Sequence, residues 1–385
     1  MKVLFLSAWY PNRYDAMAGL FVQKHAEAVN LYCDVKVLYI HLDENIKEIE
    51  IKNQYHNKLN EIIVYYPVKK RSFFHKALKA LAFFKAYKKG FEYLNETGFS
   101  PDILHANVLT RTGFIAYLYK KRNKIPYVIT EHWSRYLPEN FSYNGCVHRK
   151  ITELVVKNAS AVMPVSGLLE KEMKKNGLHN PCYKVVSNVV DDFFFEKPQK
   201  KENRTIKRIF HISCFDDKAK NISGILKAAK MLTERRTDFE LIIIGTGADY
   251  NQILKYSNTL DFPLGSVMFL GEKTSEEVAW WFQNSDFFVL FSNYETAGVV
   301  IAESLASGVP VLSTPTGIVP DVINDDNGIV VEFKNEKMLC DAMNYMLDNH
   351  SKYDVEKIRG SAYDDYSYES VGKRIYAIYS KTLNV

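Results

Sequence analysis

"DFFVLFSNYETAGVVIAESLASGVPVLST" (residues 286–314) predicts a strand, a loop, a short helix and a second strand. The run 286–292 is apolar and of strand length, and 309–314 repeats that pattern after the helix. Four small residues in and after the helix let it lie close to a sheet, namely Ala302, Ala306, Ser307 and Gly308. A strand–helix–strand unit of this size is typical of a parallel sheet covered by helices.

The alternation of strand and helix extends through two halves of the chain. In the first half, strands are predicted at 2–8, 34–41, 61–68, 102–107, 126–132, 159–166 and 183–188. The alternation restarts at 208 and runs to 332. We therefore expect an α/β protein with two doubly wound parallel sheets. Two such domains facing each other would enclose a cleft at the carboxyl ends of their strands, where ligands bind.

The polar stretch 196–207 has no apolar rhythm and predicts a linker. It separates an N-terminal domain over 1–195 from a C-terminal domain over 208–366. The last segment, 367–385, has one apolar stripe and predicts an amphipathic helix that crosses back to the N-terminal domain. The stripe consists of Val371, Ile375, Ile378 and Tyr379.

The composition is that of an ordinary globular protein, with 385 residues, 47% hydrophobic and 25% charged. The net charge of +5 permits acidic partners but does not require them, and no nucleic-acid module is recognisable. The five cysteines are scattered and form no CxxC pair, which predicts neither zinc nor a disulfide framework. A reducing, cytoplasmic location fits best. Because no run of about 18 apolar residues exists, we expect no membrane span.

Two glutamates interrupt the apolar opening stretch. Glu295 lies in the loop and Glu303 lies in the helix, eight positions further on. Backbone N–H groups at the start of that helix, near Gly298, suit a phosphate, while ionised carboxylates accept hydrogen bonds from hydroxyls. A ligand with a diphosphate between two polyhydroxy rings fits this layout. The alternative is that both glutamates are solvated surface residues.

The stretch "YETAGVVIAESLASGVPVLSTPTGIVPDVI" (294–323) resembles the E-x7-E signature of the family 4 glycosyltransferases. The resemblance covers nearly the whole chain and keeps the family's order. Further matching segments are 16–29, 102–107, 128–136, 161–166, 185–195 and 267–292. The resemblance implies the GT-B fold, with two facing Rossmann-like domains and a deep cleft between them. It also implies acceptor binding by the N-terminal domain and nucleotide-sugar binding by the C-terminal domain.

The resemblance assigns roles to four residues of the second half. Glu295 would lie against hydroxyls of the donor sugar, and Glu303 would bind the ribose. Lys220 would hold the diphosphate together with the helix start at Gly298. One departure is that Cys214 stands where the family usually has an arginine, which puts donor affinity in doubt. The alternative for Lys220 is a solvated lysine at a helix start.

In the first half, the resemblance makes Gly19 a donor-phosphate contact and places His132 near the reacting sugar. Gly19 follows the first strand, and a glycine there lets the backbone approach a phosphate closely. The alternatives are a plain turn glycine and a structural histidine. His105 is a weaker candidate, because the segment around it is as often a packing element. Arg135 and the tyrosine after it are expected to face the acceptor on position alone.

The function implied is a retaining glycosyltransferase that moves a sugar from a nucleoside-diphosphate sugar to a glycan or lipid-linked acceptor, in cell-surface polysaccharide synthesis. A front-face mechanism, in which the leaving phosphate assists deprotonation of the acceptor, predicts no catalytic metal and no cofactor. One alternative is a non-catalytic partner subunit that binds nucleotide sugars. Another is a nucleotide-sugar epimerase or a phosphorylase on the same fold. "GTGADY" (245–250) lacks the third glycine of a dinucleotide fingerprint, so a nicotinamide dehydrogenase is not expected.

The stretch 68–90 is basic, has interleaved aromatic residues and contains no acidic residue. This pattern predicts an amphipathic helix at a membrane surface, where each Lys or Arg near anionic lipid contributes about 1 kcal/mol. Such contact would place the protein at the inner face of the cell membrane. The alternative is a helix whose aromatic face packs on the N-terminal sheet.

Overall fold

The computed structural model describes residues 1–68, 75–197 and 204–385. Seven strands of the first half form one sheet in the order β3-β4-β2-β1-β5-β6-β7. Their bounds are β1 (Lys2–Ser7), β2 (Asp34–Leu42), β3 (Glu50–His56), β4 (Leu59–Tyr66), β5 (Ile103–Asn107), β6 (Tyr127–Glu131) and β7 (Ala161–Pro164). Five helices accompany this sheet. They are α1 (Leu20–Asn30), α2 (His75–Glu96), α3 (Arg111–Asn123), α4 (Cys146–Asn158) and α5 (Gly167–Lys175).

The second half forms a six-stranded sheet in the order β10-β9-β8-β11-β12-β13, in which every pair is parallel. Its strands are β8 (Lys207–Ile212), β9 (Phe239–Ile244), β10 (Val267–Phe269), β11 (Phe287–Leu290), β12 (Val311–Ser313) and β13 (Gly328–Val330). The helices before β12 are α6 (Asp217–Lys220), α7 (Ile222–Thr233), α8 (Tyr250–Thr259), α9 (Ser275–Gln283) and α10 (Val299–Ala306). The helices after it are α11 (Val319–Val322), α12 (Glu336–Asn349), α13 (Val355–Tyr366) and α14 (Tyr368–Leu383).

Strand β3 is an antiparallel edge strand that the sequence did not predict. It is polar and mostly exposed, so it lacks the apolar run by which the other strands are recognised. A tight turn joins it to β4, and both turn residues, Asn57 and Lys58, have positive φ angles of 45° and 68°. Positive φ at both central residues matches the twist of paired strands, although glycine is the usual second residue.

The predicted strand at 183–188 is wrong. The segment runs beside β7, but only one isolated bridge forms, between Val162 and Tyr183. Val186 N–H donates to the carbonyl of Pro164 at 3.1 Å. Because Pro164 has no N–H, it cannot continue the ladder in return. The predicted linker 196–207 is only partly described, since 198–203 lie outside the described residues, and β8 begins within it at Lys207.

Helix α14 lies against α1 of the first half. The close approach involves Gly372, where an added Cβ would lie 2.1 Å from the carbonyl oxygen of Ala28. Further along α14, the hydroxyl of Tyr379 lies 2.5 Å from Nδ1 of the buried His105. The other ring nitrogen of His105 lies 2.6 Å from Oγ1 of Thr130. His105 therefore joins the last helix to the first sheet and has no ring nitrogen left for a ligand.

Helix α2 has some of its large apolar side chains in the core and others exposed to solvent. Tyr87 is buried, and Phe83 packs edge-on against it with ring centroids 4.9 Å apart. Leu78, Leu81 and Phe84 are exposed. The basic residues predicted at 69–71 lie outside the described residues. No helix in the described part of the chain is long and apolar enough to span a bilayer.

Candidate active site

The loop after β11 and the start of α10 form one wall of the site. Gly298 begins α10 in the left-handed conformation, with φ 74°, and no side chain caps the helix. The first N–H groups of a helix have no partner within the helix, so this start carries a partial positive charge. Ile318 N–H donates to the carbonyl of Ala297 at 2.9 Å and holds the loop from behind.

Glu295 accepts two short hydrogen bonds. Nζ of Lys220 lies 2.6 Å from its Oε1, and the hydroxyl of Ser292 donates to the same oxygen at 2.8 Å. The side chains of Lys220 and Glu295 are 17% and 9% exposed. Although burial opposes it, the Glu295 carboxylate raises the pKa of Lys220. The site therefore holds a charged lysine against a charged carboxylate.

Glu303 lies further along α10 and differs from Glu295 in its surroundings. Its carboxylate makes no hydrogen bond within the described residues, and burial raises its pKa to about 7. The opposite charge that acts on it is Lys24 of α1, which forms an ion pair with Asp191 at 2.8 Å. Glu303 thus faces the first half of the molecule.

His132 follows β6 and is buried. Its ring lies 4.5 Å from that of Phe21 and 5.4 Å from that of His25, between centroids. Neither ring nitrogen meets the full geometry of a hydrogen bond in the described structure, although the side chain of Asn188 lies close enough to raise the pKa of the ring slightly against the effect of burial. Burial, followed by the neighbouring His25 and His105, holds the pKa of His132 well below its usual range. The imidazole is therefore neutral, with one donor and one acceptor free for a ligand.

Glu131 fixes the position of His132, a role that sequence reasoning missed. Its carboxylate accepts the backbone N–H groups of Leu109 at 3.0 Å and of His132 and Trp133 at 2.8 Å. Burial raises the pKa of Glu131 to about 7. The signal available in the sequence was a carboxylate at a strand end directly before the histidine.

A cavity of about 250 Å³ lies between the two halves and brings the main candidates together. His132 and Asn188 reach it from the first half, and Lys220, Glu295 and Gly298 reach it from the second. Oδ1 of Asn188, a residue the sequence did not single out as a ligand contact, is buried without a partner in the part of the chain that is described. Unpaired buried polar atoms are costly, so these groups are poised for a polar ligand.

Three further positions that the sequence singled out, one departure and two predicted contacts, lie in different places. Cys214 is exposed and lines the same cavity. The cavity wall therefore carries a thiol where the family resemblance implies an arginine. Glu303 and Gly19 are not among the lining residues. Gly19 begins α1 with φ 63°, and a Cβ there would lie 2.2 Å from the carbonyl oxygen of Trp9. Close packing of the backbone alone is enough to require this glycine.

The two residues expected to face the acceptor lie in different surroundings. Tyr136 is buried in the core, and its hydroxyl points to Glu131 at 3.4 Å. Arg135 lines a second cavity, in the first half, with its guanidinium 4.3 Å from the centroid of the Trp133 ring. Among the residues described, no cluster of three or more His, Cys, Asp or Glu side chains could hold a metal ion.

The family model for group 1 glycosyl transferases matches residues 192–361, the region that contains Lys220, Glu295 and Glu303. Together with the glycosyltransferases to which the chain is similar, this match supports a protein of the family 4 type. The chain is similar to the N-acetyl-alpha-D-glucosaminyl L-malate synthase of Bacillus anthracis, with 28% identity over 73% of this chain and 75% of the relative. It is also similar to the putative teichuronic acid biosynthesis glycosyltransferase TuaC of Bacillus subtilis. That similarity is 21% identity over 96% of this chain and 94% of the relative.

Solved structures share the fold of this chain over its full length. Sucrose-phosphate synthase from Thermosynechococcus elongatus superposes with a TM-score of 0.76, at 15% identity and with 100% of both chains covered. Anabaena Alr3699/HepE in complex with UDP superposes with a TM-score of 0.75, at 15% identity, covering 99% of this chain and 100% of that one. The predicted GT-B fold is thereby confirmed.

Proposed function

We propose that the enzyme transfers a sugar, with retention of anomeric configuration, from a nucleoside-diphosphate sugar to a glycan or lipid-linked acceptor in cell-surface polysaccharide synthesis. The convergence of Lys220, Glu295 and His132 on one cavity between the halves carries this proposal. Support for the donor class comes from a similar fold that was solved with UDP, and from relatives named as glycosyltransferases.

The roles proposed for the second half follow from charge. Lys220 and the uncapped start of α10 at Gly298 would neutralise the diphosphate, since both present N–H donors and positive charge. Glu295 would accept hydrogen bonds from hydroxyls of the donor sugar. Glu303, whose carboxylate has no hydrogen-bond partner among the described residues, would accept hydrogen bonds from the ribose. Gly19, at the start of α1, would bring its backbone near the same diphosphate.

In the proposed front-face step, the bond between the anomeric carbon and the leaving phosphate breaks. The acceptor oxygen bonds to the same face of that carbon, and its proton passes to an oxygen of the leaving phosphate. The protein would then act by positioning and charge stabilisation. His132, neutral and with both ring nitrogens unpartnered in the described structure, would hold a hydroxyl of the reacting sugar. Lys220 and the start of α10 would supply the charge that makes a metal unnecessary.

Cys214 favours one competing function, that of a non-catalytic nucleotide-sugar-binding subunit. The thiol lines the donor cavity at the position where the family resemblance implies an arginine. A charge-assisted hydrogen bond to phosphate, worth about 1.5–3 kcal/mol, would be missing there. Turnover of a donor sugar separates a transferase from such a subunit.

The first experiment is a calorimetric binding panel of UDP, GDP and ADP, each with its sugars, on the full chain. Lys220→Ala and Glu303→Ala test the proposed contacts, and Lys218→Ala is a matched control at an exposed position on the same short helix. We expect one nucleotide to bind selectively and to bind more weakly to the first two variants only. Absence of binding across the panel would reject the proposal.

The stereochemical and metal proposals need turnover. With the selected donor sugar, NMR of the product would show whether the anomeric configuration of the donor is kept. An inverted product would reject the front-face step. Activity that is lost in EDTA and restored by Mg²⁺ would reject metal independence.

We also propose peripheral membrane contact through α2, in the segment 68–90. Support comes from Leu81, 66% exposed, and from the exposed Leu78 and Phe84, which lie among lysines of the same helix. Sedimentation with phosphatidylglycerol vesicles tests it. Leu81→Ser should reduce binding, whereas Leu264→Ser, an exposed leucine of the second half, should not. Equal sedimentation of both variants would reject the contact.

A further inference from the structure

The second cavity, of about 650 Å³, lies in the first half beyond the carboxyl ends of β1, β2, β5 and β6. Three cations line it, Lys79, Arg111 and Arg135, and no carboxylate does so among the described residues. Aromatic rings supply much of the remaining wall, including Trp9 and Trp133. A concave surface that carries one sign of charge concentrates ligands of the opposite sign.

These cations are not neutralised by the described part of the protein. The side chains of Arg111 and Lys79 make no hydrogen bond or ion pair there. Arg135 is only 9% exposed, and its Nε has no partner within the described residues. Its Nη2 donates to the carbonyl of Ser142 at 3.1 Å, and its Nη1 lies 3.3 Å from Nε2 of His148. A buried guanidinium bound only to neutral groups retains its capacity for an anion.

Glu131 is the carboxylate that acts electrostatically on Arg135, but it does not line the cavity. Its oxygens accept backbone N–H groups, including that of Leu109 at 3.0 Å. This leaves the face of Arg135 that borders the cavity without a carboxylate partner in the described structure.

The backbone at the cavity wall is held in an unusual conformation. Val108 and Thr110 are β-branched residues with positive φ angles of 63° and 77°, which are outliers for such residues. The hydroxyl of Thr112 donates to the carbonyl of Val108 at 2.6 Å and helps to hold the loop. Helix α3 starts here at Arg111 without a side-chain cap or an acidic residue in its first turn. Its positive end therefore adds to the charge of the cavity.

We propose that this cavity binds the acceptor through an anionic group, a carboxylate or a phosphate, held by Arg111, Arg135 and the start of α3. The inference rests on the proposed transferase function and names its acceptor class. The position suits an acceptor, because His132 lines the donor cavity while the next residue, Trp133, lines this one. Trp9 also bridges the two, with its ring centroid 6.3 Å from that of Phe21 in the donor cavity.

Two matched probe pairs test the charge and identify its source. Methyl β-D-glucuronide against methyl β-D-glucoside tests a sugar carboxylate, and geranyl diphosphate against geraniol tests a lipid diphosphate. Calorimetry is done on the full chain in the presence of the nucleotide that binds. We expect the charged member of at least one pair to bind about tenfold tighter or more than its neutral partner. Equal binding within both pairs overturns the proposal.

Arg111→Met removes the charge and keeps the aliphatic stem, and Arg122→Met, exposed at the other end of α3, is its control. Affinity for the charged probe should fall about tenfold or more in Arg111→Met and less than about twofold in Arg122→Met. Unchanged affinity in Arg111→Met overturns the proposal. Nucleotide binding by the same samples distinguishes a failure of the proposed transferase function from a failure of the proposed anionic acceptor. Its absence contradicts the transferase function, whereas nucleotide binding without binding of either charged probe contradicts only the anionic acceptor.

Discussion

Lys220, at the end of α6, and Glu295, in the loop after β11, form an ion pair with Nζ and Oε1 2.6 Å apart and both side chains largely buried. The two residues are 75 positions apart in the chain. The lysine that would bind the diphosphate is thus already held by the carboxylate that would bind the sugar. Removal of either partner leaves a buried charge unpaired.

We therefore expect Lys220→Ala to lower the free energy of unfolding by about 1.5–3 kcal/mol, because Ser292 would remain as the main partner of the Glu295 carboxylate. Urea denaturation measures this change. Lys218→Ala, at an exposed position, should change it by less than about 0.5 kcal/mol. Equal stability of the two variants would show that the ion pair contributes nothing to the folded state.

Glu303 should make stability depend on pH. Burial raises its pKa to about 7 from an ordinary value of 4.5. Between these two values the folded protein holds a proton that the unfolded chain has lost, so the stability from this carboxyl falls as the pH rises. Glu303→Gln has no titrating carboxyl at this position and should not show this fall in stability. Its stability relative to the wild type should therefore rise by about 1–3 kcal/mol between pH 4.5 and 8.

Denaturant unfolding at several pH values measures the Glu303 effect. Glu96→Gln, at an exposed position on α2, provides the matched amide substitution and should show a flat difference with pH. A flat difference for Glu303→Gln as well would mean that the carboxyl of Glu303 titrates normally in the folded protein.

His132→Phe should separate stability from activity. The ring packs between Phe21 and His25, and its two nitrogens have no partner among the described groups. An apolar ring of similar shape removes this unsatisfied polarity, so the melting temperature should stay the same or rise. Transfer should fall about 10²–10³-fold if the imidazole contacts the reacting sugar. Unchanged turnover, measured with the selected donor, would make His132 a packing residue.

Two glycines with similar φ angles should respond differently to alanine. At Gly19 the new Cβ would lie 2.2 Å from a backbone oxygen, that of Trp9, which cannot move alone. At Gly298 the nearest atom is Cδ1 of Ile301 at 3.0 Å, the end of a flexible side chain. We expect Gly298→Ala to cost about 1–2 kcal/mol for the left-handed conformation. Gly19→Ala should cost clearly more, or prevent folding.

Thermal unfolding ranks these glycine variants. Gly98→Ala is the control for φ alone, since Gly98 has φ 73° and an added Cβ would meet nothing within 4 Å. If Gly19→Ala is no less stable than Gly98→Ala, the close approach to Trp9 does not constrain the fold.

Local sequence determined the elements that carry the donor site. The apolar strand β11, the helix start at Gly298 and the spacing of Glu295 and Glu303 follow from a continuous stretch, because strand, cap and helix patterns depend on residues close together in the chain. The parallel sheets followed from the alternation of those patterns. Strand β3 was missed and 183–188 was wrong because the pairing of an edge segment depends on its neighbour in space.

Only the tertiary structure decided which polar groups have partners. The sequence placed Lys220 and Glu295 in separate motifs, and their ion pair exists because β8 and β11 are neighbours in the sheet. Likewise, His105 and His132 look alike in the sequence, since both lie at strand ends. In the structure both ring nitrogens of His105 have partners, whereas those of His132 have none that meet the full geometry of a hydrogen bond. Hydrogen bonding and burial act over a few ångströms in space, whatever the separation in sequence. The fold was therefore readable from local pattern, whereas the chemistry of each side chain was set by contacts that only folding creates.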